Sequence, residues 1–247
     1  MRHITLAILL LCIPAIAQDE RHVTSPDGQL EFRLGSAQPE PGGLSRLAYQ
    51  VYFRGKPLID TSLMGLNIHF QEPLLGENAG LTKSTASETA VYHSLLAEYM
   101  QNGSIGRRID VEVRVADDGV AFRYRIPRSS PLMDLLIEDE TTEFNIPAGG
   151  LGQTDSEAQL PFPFVFQLPG AVSVAIAEVR EGNYPPAWLE RLEGNILITR
   201  LGGRTKDPGI AVEATTPFTC PWRVLIVGLR REHLMQSKIM RSLSSER

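Results

Sequence analysis

The amino-acid sequence predicts an all-β sandwich. Segments in which apolar and polar residues alternate recur along most of the chain, and sequences typical of turns separate them. The clearest pair covers 109–115 and 120–126 and is joined by the turn Asp117-Asp118-Gly119. Strands do not alternate with long helices, as they would in a fold built on a parallel sheet. The pattern indicates about a dozen short strands, followed by one short C-terminal helix.

The first half of the chain contains most of the regular alternation. Ser25-Pro26-Asp27-Gly28 is a turn sequence, after which the segments 30–34 and 47–53 are typical of an antiparallel hairpin. Residues 74–90 are polar and weakly patterned, which predicts a loop with a short strand. Residues 90–100 fit a helix as well as a strand.

The second half is predicted to continue the β architecture. Met235, Ile239 and Leu243 recur at every fourth position, which is typical of one face of a short amphipathic helix. Residues 149–161 and 202–208 contain glycine and proline and are predicted loops. The remaining predicted strands are 65–70, 162–166, 172–178, 195–201 and 216–227.

The first 17 residues predict an export signal. Arg2 gives a positive start, residues 4–13 are mostly apolar, and Ala15-Ile16-Ala17 fits the small-x-small pattern of a cleavage site. The apolar run is too short to span a bilayer as a permanent helix, so no membrane anchor is expected. We therefore expect a signal peptide at 1–17 and one domain at 18–247, in an exported protein that is periplasmic or secreted.

Composition limits the class of protein further. Removal of the signal leaves Cys220 as the single cysteine, so no disulfide within the chain is expected and Cys220 is predicted to be a small buried side chain. Export without disulfides favours a bacterial periplasm. The net charge of -5 comes without a basic block, which argues against nucleic acid as a partner.

Residues 172–188 contain the most informative carboxylate of the chain. Val174 and Ile176 alternate on one face of a strand, and Glu178 is next on that face. A carboxylate in an apolar row is costly unless another group pairs with it. Spacing alone leaves two interpretations open: the strand leaves the core and Glu178 lies in water, or Glu178 is a ligand or catalytic carboxylate at a strand end.

Other charged and aromatic residues suggest no separate site. The acidic segment 138–143 is predicted to be a solvated edge rather than a set of ligands. The pair Arg107-Arg108 is also predicted to be solvated, and the histidines show no metal-binding spacing. Trp188 and Trp222 are predicted to pack beside neighbouring prolines rather than to stack on sugar rings.

Four stretches, in this order and spacing, resemble a known family. They are Ser25-Pro26-Asp27-Gly28 with its strand, residues 117–124 beginning Asp117-Asp118-Gly119, Glu178 with Tyr184-Pro185 downstream, and residues 216–223 ending in Pro221-Trp222-Arg223. Together they resemble the N-terminal domain of glycoside hydrolase family 97, a family of retaining or inverting α-glucosidases and α-galactosidases. The resemblance extends over nearly the whole of the chain that follows the signal.

The resemblance implies a β-supersandwich, similar to the galactose-mutarotase-like fold, packed on a (β/α)8 barrel that carries the general acid and the base or nucleophile. It also implies that one glutamate of the N-terminal domain helps to hold a calcium ion at the active site. Glu178 matches that glutamate by its position in the motif, and Ca2+ would supply the partner that a buried carboxylate needs. The resemblance thus implies Glu178 as a metal ligand and carbohydrate as the substrate class, and it assigns no catalytic residue to this chain.

The sequence departs from the family in two respects. A (β/α)8 barrel needs about 250 residues, and the chain stops where that barrel should begin, so the paired carboxylates of glycoside chemistry are expected elsewhere. Gly149-Gly150-Leu151-Gly152 follows the acidic segment where an aromatic residue is expected, which argues against sugar stacking there. Because Ca2+ takes roughly six to eight oxygen ligands, it is expected only when a catalytic barrel completes the site.

Three functions of different classes remain open. The first is the non-catalytic, carbohydrate-binding or active-site-completing N-terminal domain of a family 97-like glycoside hydrolase, truncated or split from its barrel. The second is an independent mutarotase or epimerase, which would need a histidine beside a carboxylate; His233 is the nearest to Glu178 in sequence. The third is a stand-alone sugar-binding, lectin-like or purely structural periplasmic protein, supported only by the sandwich fold and the export signal. The four motifs favour the first.

Overall fold

The computed structural model describes residues 18–103, 105–150, 159–170, 172–180, 182, 184–203, 209–228 and 237–244. The predicted signal at 1–17 lies outside the described residues. Within these ranges, no helix has the length and apolar character needed to cross a membrane.

Nineteen strands and one helix are present in the described part of the chain. The strands are β1 (Gln18–Thr24), β2 (Leu30–Ala37), β3 (Arg46–Phe53), β4 (Lys56–Leu63), β5 (Leu66–Ile68), β6 (Leu75–Glu88), β7 (Tyr92–Gln101), β8 (Arg108–Ala116), β9 (Gly119–Ile126), β10 (Asp134–Glu140), β11 (Glu143–Asn145), β12 (Leu160–Pro161), β13 (Phe164–Leu168), β14 (Val172–Val179), β15 (Ala187–Arg191), β16 (Ile196–Leu201), β17 (Val212–Thr215), β18 (Phe218–Thr219) and β19 (Trp222–Gly228). The helix α1 is Lys238–Ser244.

Most of the described strands form two antiparallel sheets. The first sheet has the order β1-β2-β3-β4-β11-β16-β15-β12. The second sheet has the order β6-β7-β8-β9-β19-β14-β13. The start of β6 also pairs with β3 and β5, and β5 pairs in turn with β10, so one edge of the sandwich connects the two sheets. The predicted all-β sandwich is confirmed.

An aromatic cluster joins the two sheets at their centre. Phe32 and Tyr49 of the first sheet stack with ring centroids 5.3 Å apart. Phe122 of the second sheet lies 5.6 Å from the ring of Phe32 and 4.8 Å from that of Tyr49. Phe144 lies 6.4 Å from both Tyr49 and Phe122, and all four rings are buried. Alternate apolar residues of both sheets thus meet in one core, as the sequence pattern requires.

The helix α1 covers the outer face of the second sheet. Ala175 and Ala177 of β14 pack in one cluster with Ile239 and Leu243 of the helix. The small side chains of β14 leave space for this layer, so the strand is buried on both faces. Ile239 and Leu243 confirm the predicted helix face, whereas Met235 lies outside the described residues.

The turn between β8 and β9 holds the helix in place. The carboxylate of Asp118 accepts hydrogen bonds from the backbone N–H groups of Lys238 and Ile239, which caps the first turn of α1. A Cβ at Gly119 would lie 2.6 Å from Cγ2 of Ile239 and 2.7 Å from the carbonyl oxygen of Leu225. Glycine at this position is therefore what allows the helix to approach the sheet so closely.

The polar segment 74–90, predicted to be a loop with a short strand, instead forms β6, which has 14 residues. The ambiguous segment that follows is β7, and the two strands pair from Ala79 to Glu88 of β6. The outer half of β6 is exposed along its whole length. Its residues do not alternate between buried and exposed positions, so the sequence there shows no strand pattern. Backbone pairing with β7, which carries its own buried alternation, makes this segment a strand.

Arg107 also differs from its predicted solvated position. The side chain is buried, and its guanidinium donates to the carbonyl oxygens of Gln71 and Pro73 at 2.8 and 2.7 Å. Carbonyl oxygens that turn inward at a loop provide acceptors that a charge pattern in the sequence does not reveal. The prediction that Arg107 is solvated was therefore wrong.

Candidate functional site at the end of strand β14

Glu178 continues a buried row of β14. Val174 and Ile176 lie in the core between the sheets, and the side chain of Glu178, next on that face, is only 7% exposed. The strand ends one residue later, at Val179. The interpretation with Glu178 in water is therefore wrong, and the carboxylate requires a partner.

The partner is an arginine on the neighbouring strand. Glu178 is paired in register with Arg223 of β19, whose Nη1 donates to Oε2 of Glu178. The other carboxylate oxygen, Oε1, lies 2.9 Å from Nε of Arg180, a side chain that is 51% exposed. One partner of Glu178 thus lies inside the sandwich and the other at its surface.

Arg223 is itself held by a second carboxylate. Its Nε donates to Oε1 of Glu140 at 2.8 Å, and its Nη2 donates to Oε2 of Glu140 at 2.6 Å. Such a two-point pair is stronger and better directed than a single ion pair. Burial opposes the charge on Arg223, but the charge and hydrogen bonds of Glu140 outweigh burial and raise the pKa of the guanidinium above its ordinary value.

Glu140 corrects the prediction for the acidic segment 138–143. Its side chain is fully buried, and so is that of Thr142. The Thr142 hydroxyl donates to Oε1 of Glu140 at 2.8 Å, and the Tyr184 hydroxyl donates to Oε2 at 3.3 Å. These donors and Arg223 compensate the burial of the carboxylate, so this part of the segment is not a solvated edge. We call Glu140, Arg223, Glu178 and Arg180 the ionic cluster.

Neutral side chains surround the ionic cluster on the core side. The hydroxyl groups of Tyr124 and Thr142 are 2.6 Å apart, and the Tyr124 oxygen accepts from the backbone N–H of Gly65 at 3.1 Å. Burial raises the pKa of Tyr124, of Tyr184 and of the Cys220 thiol. Cys220 is buried, as predicted, and its raised pKa keeps the nucleophilic thiolate from forming near neutral pH.

The four sequence motifs meet in pairs. The backbone N–H of Asp27, in the first motif, donates to Oδ1 of Asp117, in the second, at 3.0 Å. Glu178 of the third motif pairs with Arg223 of the fourth. The first motif therefore contacts the second in the folded chain, and the third contacts the fourth, although each pair is far apart in sequence.

The two tryptophans contribute little to the site. Trp222 is buried, and the guanidinium carbons of Arg123 and Arg114 lie 4.2 and 4.9 Å from its ring, so its predicted packing role is confirmed. Trp188 is half-buried on β15, where it pairs in register with Arg200. His233, Leu151 and Gly152, on which other sequence predictions depended, lie outside the described residues.

Comparison with known proteins agrees with this architecture. Residues 23–152 and 149–245 match the family described as glycosyl-hydrolase 97 N-terminal. The chain belongs to this family. The resemblance predicted from the four motifs is confirmed.

Known relatives extend well beyond this family 97 N-terminal domain. A "Probable retaining alpha-galactosidase" of Streptomyces bingchenggensis (strain BCW-1) is 32% identical over 140 residues, which are 51% of this chain and 21% of that protein. A family 97 glycoside hydrolase from Pseudoalteromonas sp. strain K8, solved with acarbose, has a TM-score of 0.72 and 21% identity, covering 85% of this chain and 36% of that one. A β-arabinopyranosidase has a TM-score of 0.68 and 20% identity, covering 86% and 40%. The structural likeness shows the fold.

The resemblance implies a calcium ion held in part by Glu178, and the groups around Glu178 show whether the described residues fit such an ion. Both oxygens of Glu178 face guanidinium groups. Within the described ranges, no group of three or more His, Cys, Asp or Glu side chains is placed to hold a metal. Because Ca2+ takes roughly six to eight oxygen ligands, the described residues of the family 97 domain do not fit a calcium site by themselves. Glu178 as one ligand of a shared site stays a prediction.

Proposed function

We propose that this chain is the non-catalytic domain that completes the active site of a family 97-like glycoside hydrolase, whose reacting carboxylates lie on a (β/α)8 catalytic domain. The observation that carries the proposal is Glu178, a carboxylate at a strand end that a buried arginine orients. The chain also corresponds to only 36% of a family 97 enzyme. An exported, periplasmic setting is part of the proposal.

The ionic cluster supports a contributing role rather than a catalytic one. Glycoside hydrolysis ordinarily uses two carboxyl groups that flank the scissile bond. Glu140 is fully buried and bonded on both oxygens, so it cannot contact a sugar. Glu178 lies beside the exposed Arg180 and is the carboxylate of the cluster that another domain can reach. The ionic cluster thus supplies one carboxylate, Glu178, to a shared active site and does not supply the pair of an acid and a nucleophile that hydrolysis uses.

Carbohydrate is the proposed substrate class of the assembled enzyme. The relatives are described as an α-galactosidase and a β-arabinopyranosidase, and a third was solved with acarbose. Pyranosides are therefore the substrates to test, beginning with α-linked galactose and glucose.

Hydrolysis assays test the proposal directly. Purified 18–247 is expected to leave p-nitrophenyl α-galactoside and α-glucoside intact, and to raise the rate of a separately produced family 97 (β/α)8 domain from the same genome. Glu178→Gln should fold normally and fail to raise that rate, whereas Asp60→Asn, a change at a half-buried carboxylate of the first sheet, should act like the unaltered chain. Cleavage by the chain alone would overturn the proposal, as would an unchanged rate in the mixture. Accelerated anomer exchange of glucose or galactose by the chain alone would favour a mutarotase instead.

Calcium binding is expected to depend on both domains. Titration calorimetry should show no micromolar Ca2+ binding by the chain alone, because two guanidinium groups next to Glu178 repel a cation and the described residues include no group of three or more ligand side chains placed to hold a metal. The mixture of domains should bind Ca2+, and Glu178→Gln should weaken that binding. Micromolar binding by the isolated chain that disappears in Glu178→Gln would contradict this expectation.

A further inference from the structure

The outer face of the β5–β10 pair carries a group of polar side chains that the proposed function does not use. Leu66 and Ile68 of β5 lie in the core, so Asn67 and His69, which alternate with them, point away from it. Both of these outward side chains contact Glu138, on the neighbouring strand β10. A carboxylate is therefore held in a fixed position on the surface of the sandwich, outside the ionic cluster.

Each oxygen of Glu138 accepts one hydrogen bond from this group and has room for another. Nδ1 of His69 lies 2.5 Å from Oε1, and Nδ2 of Asn67 donates to Oε2 at 2.7 Å. An ionised carboxylate only accepts, so Nδ1 carries the proton, and Nε2 of the neutral imidazole is left as an acceptor. A carboxylate has about four acceptor positions, of which two are used here. The side chains of His69 and Glu138 are 26% and 32% exposed, so a ligand can reach the remaining positions.

Phe70 places an aromatic ring beside these acceptors. The ring is 89% exposed, and its centroid lies 3.8 Å from that of the His69 ring. The backbone φ of Phe70 is 53°, in the left-handed region that a bulky residue adopts at a conformational cost. Such strain is characteristic of ligand-binding positions, and a ring held in water at that cost points to a contact outside the chain. We call Asn67, His69, Phe70 and Glu138 the β5 site.

The chemistry of the β5 site selects the class of ligand. None of its four residues is lysine or arginine, and the carboxylate would repel an anion such as phosphate. Within the described residues, no group of three or more His, Cys, Asp or Glu side chains is placed to hold a metal. An apolar protein surface on the ring would leave the acceptors of Glu138 without donors, which is costly. A pyranose has C–H groups that pack on an aromatic face and hydroxyl groups that donate to a carboxylate, so it matches both parts of the site.

We propose that the β5 site is an accessory carbohydrate-binding site, at which a neutral oligosaccharide packs one pyranose on Phe70 and donates two hydroxyl groups to Glu138. The imidazole and the amide of the site hold the carboxylate in place and provide further hydrogen-bonding atoms at its edge. The inference goes beyond the proposed function, because this site uses neither Glu178 nor a catalytic domain. Its effect would be to hold oligosaccharide on the surface of the chain without reaction.

An NMR titration of the chain alone tests the β5 site. The probes are maltotetraose and raffinose, which carry α-linked glucose and α-linked galactose, added to 15N-labelled 18–247. Saturable shift changes are expected at the side-chain amide of Asn67 and at the backbone N–H groups of His69 and Phe70. The backbone N–H of Glu178 should not shift, because the ligand binds elsewhere.

Matched variants identify the groups that bind. Phe70→Asn suits the left-handed backbone but removes the ring, and should weaken binding about tenfold, the size expected for one aromatic contact. Phe70→Tyr keeps the ring and should bind like the unaltered chain. Glu138→Gln keeps the shape but replaces one acceptor oxygen by a donor, so it should also bind more weakly. V91S is the control, because Val91 is 49% exposed in the β6–β7 turn and outside the site, and its affinity should be unchanged. Circular dichroism should show all variants folded.

Four results would overturn the β5 site. The first is the absence of saturable binding by the unaltered chain, and the second is unchanged affinity in both Phe70→Asn and Glu138→Gln. The third is binding that is lost in Glu178→Gln and kept in Phe70→Asn, because the sugar would then occupy the candidate site on β14. The fourth is self-association of the chain that Phe70→Asn abolishes, which would make the ring an interface between copies. The hydrolysis assay with the catalytic domain tests the proposed function separately, so either proposal can fail while the other stands.

Discussion

Replacement of Arg223 by methionine is expected to lower the free energy of unfolding by about 3–5 kcal/mol. Arg223 donates to both oxygens of Glu140, and both side chains are only 1% exposed. Methionine has similar length but no charge, so Glu140 would remain buried with only the hydroxyls of Thr142 and Tyr184 as donors. Urea unfolding of 18–247, followed by circular dichroism, measures the loss.

Two further variants test whether the stability lost in Arg223→Met comes from leaving the buried Glu140 carboxylate without its charged partner. Arg180→Met removes a partner of Glu178 whose own side chain is 51% exposed, and should cost about 0–1 kcal/mol. The double variant E140M and R223M removes both buried charges together and should recover most of the stability lost in Arg223→Met. If Arg223→Met cost no more than Arg180→Met, the buried pair would not have the stabilising role that its geometry indicates.

Part of this cluster could be predicted from the sequence. Glu178 interrupts an apolar row, so the need for a partner was evident from spacing. Arg223 interrupts a similar row, because Leu225 and Val227 follow it at alternate positions and lie in the same core. Two charged residues of opposite sign, each at the end of such a row, were a detectable signal. Their pairing also required the register of β14 with β19, which spacing within one strand cannot supply.

Glu140 could not have been found in this way. Leu135 and Ile137 of β10 are buried, and strict alternation would place Asp139 inside and Glu140 outside. The register of β10 with β5 shifts between Ile137 and Asp139, which turns Glu140 inwards. Such an irregularity depends on the partner strand and reverses the predicted face of every residue after it. The solvated edge predicted for 138–143 failed for this reason.

Phe122→Ala is the second large effect, with an expected loss of about 3–5 kcal/mol. Phe122 is the ring of the second sheet that contacts Phe32 and Tyr49 of the first, and its removal leaves a cavity that three rings cannot fill without moving the sheets. Urea unfolding again measures the loss. Phe122→Leu, which keeps most of the volume, should cost roughly 1–2 kcal/mol.

The effect of Phe122→Ala should extend to the candidate site. Phe122 pairs in register with Arg223, which in turn pairs with Glu178, so the three residues lie in one row across β9, β19 and β14. A cavity beneath this row should loosen Arg223, and with it the orientation of the Glu178 carboxylate. In the reconstituted hydrolysis assay, Phe122→Ala at a temperature where it remains folded should therefore raise the rate less than Phe122→Leu does. Equal rates for the two variants would show that the site is held by the ionic cluster alone, independently of the core beneath it.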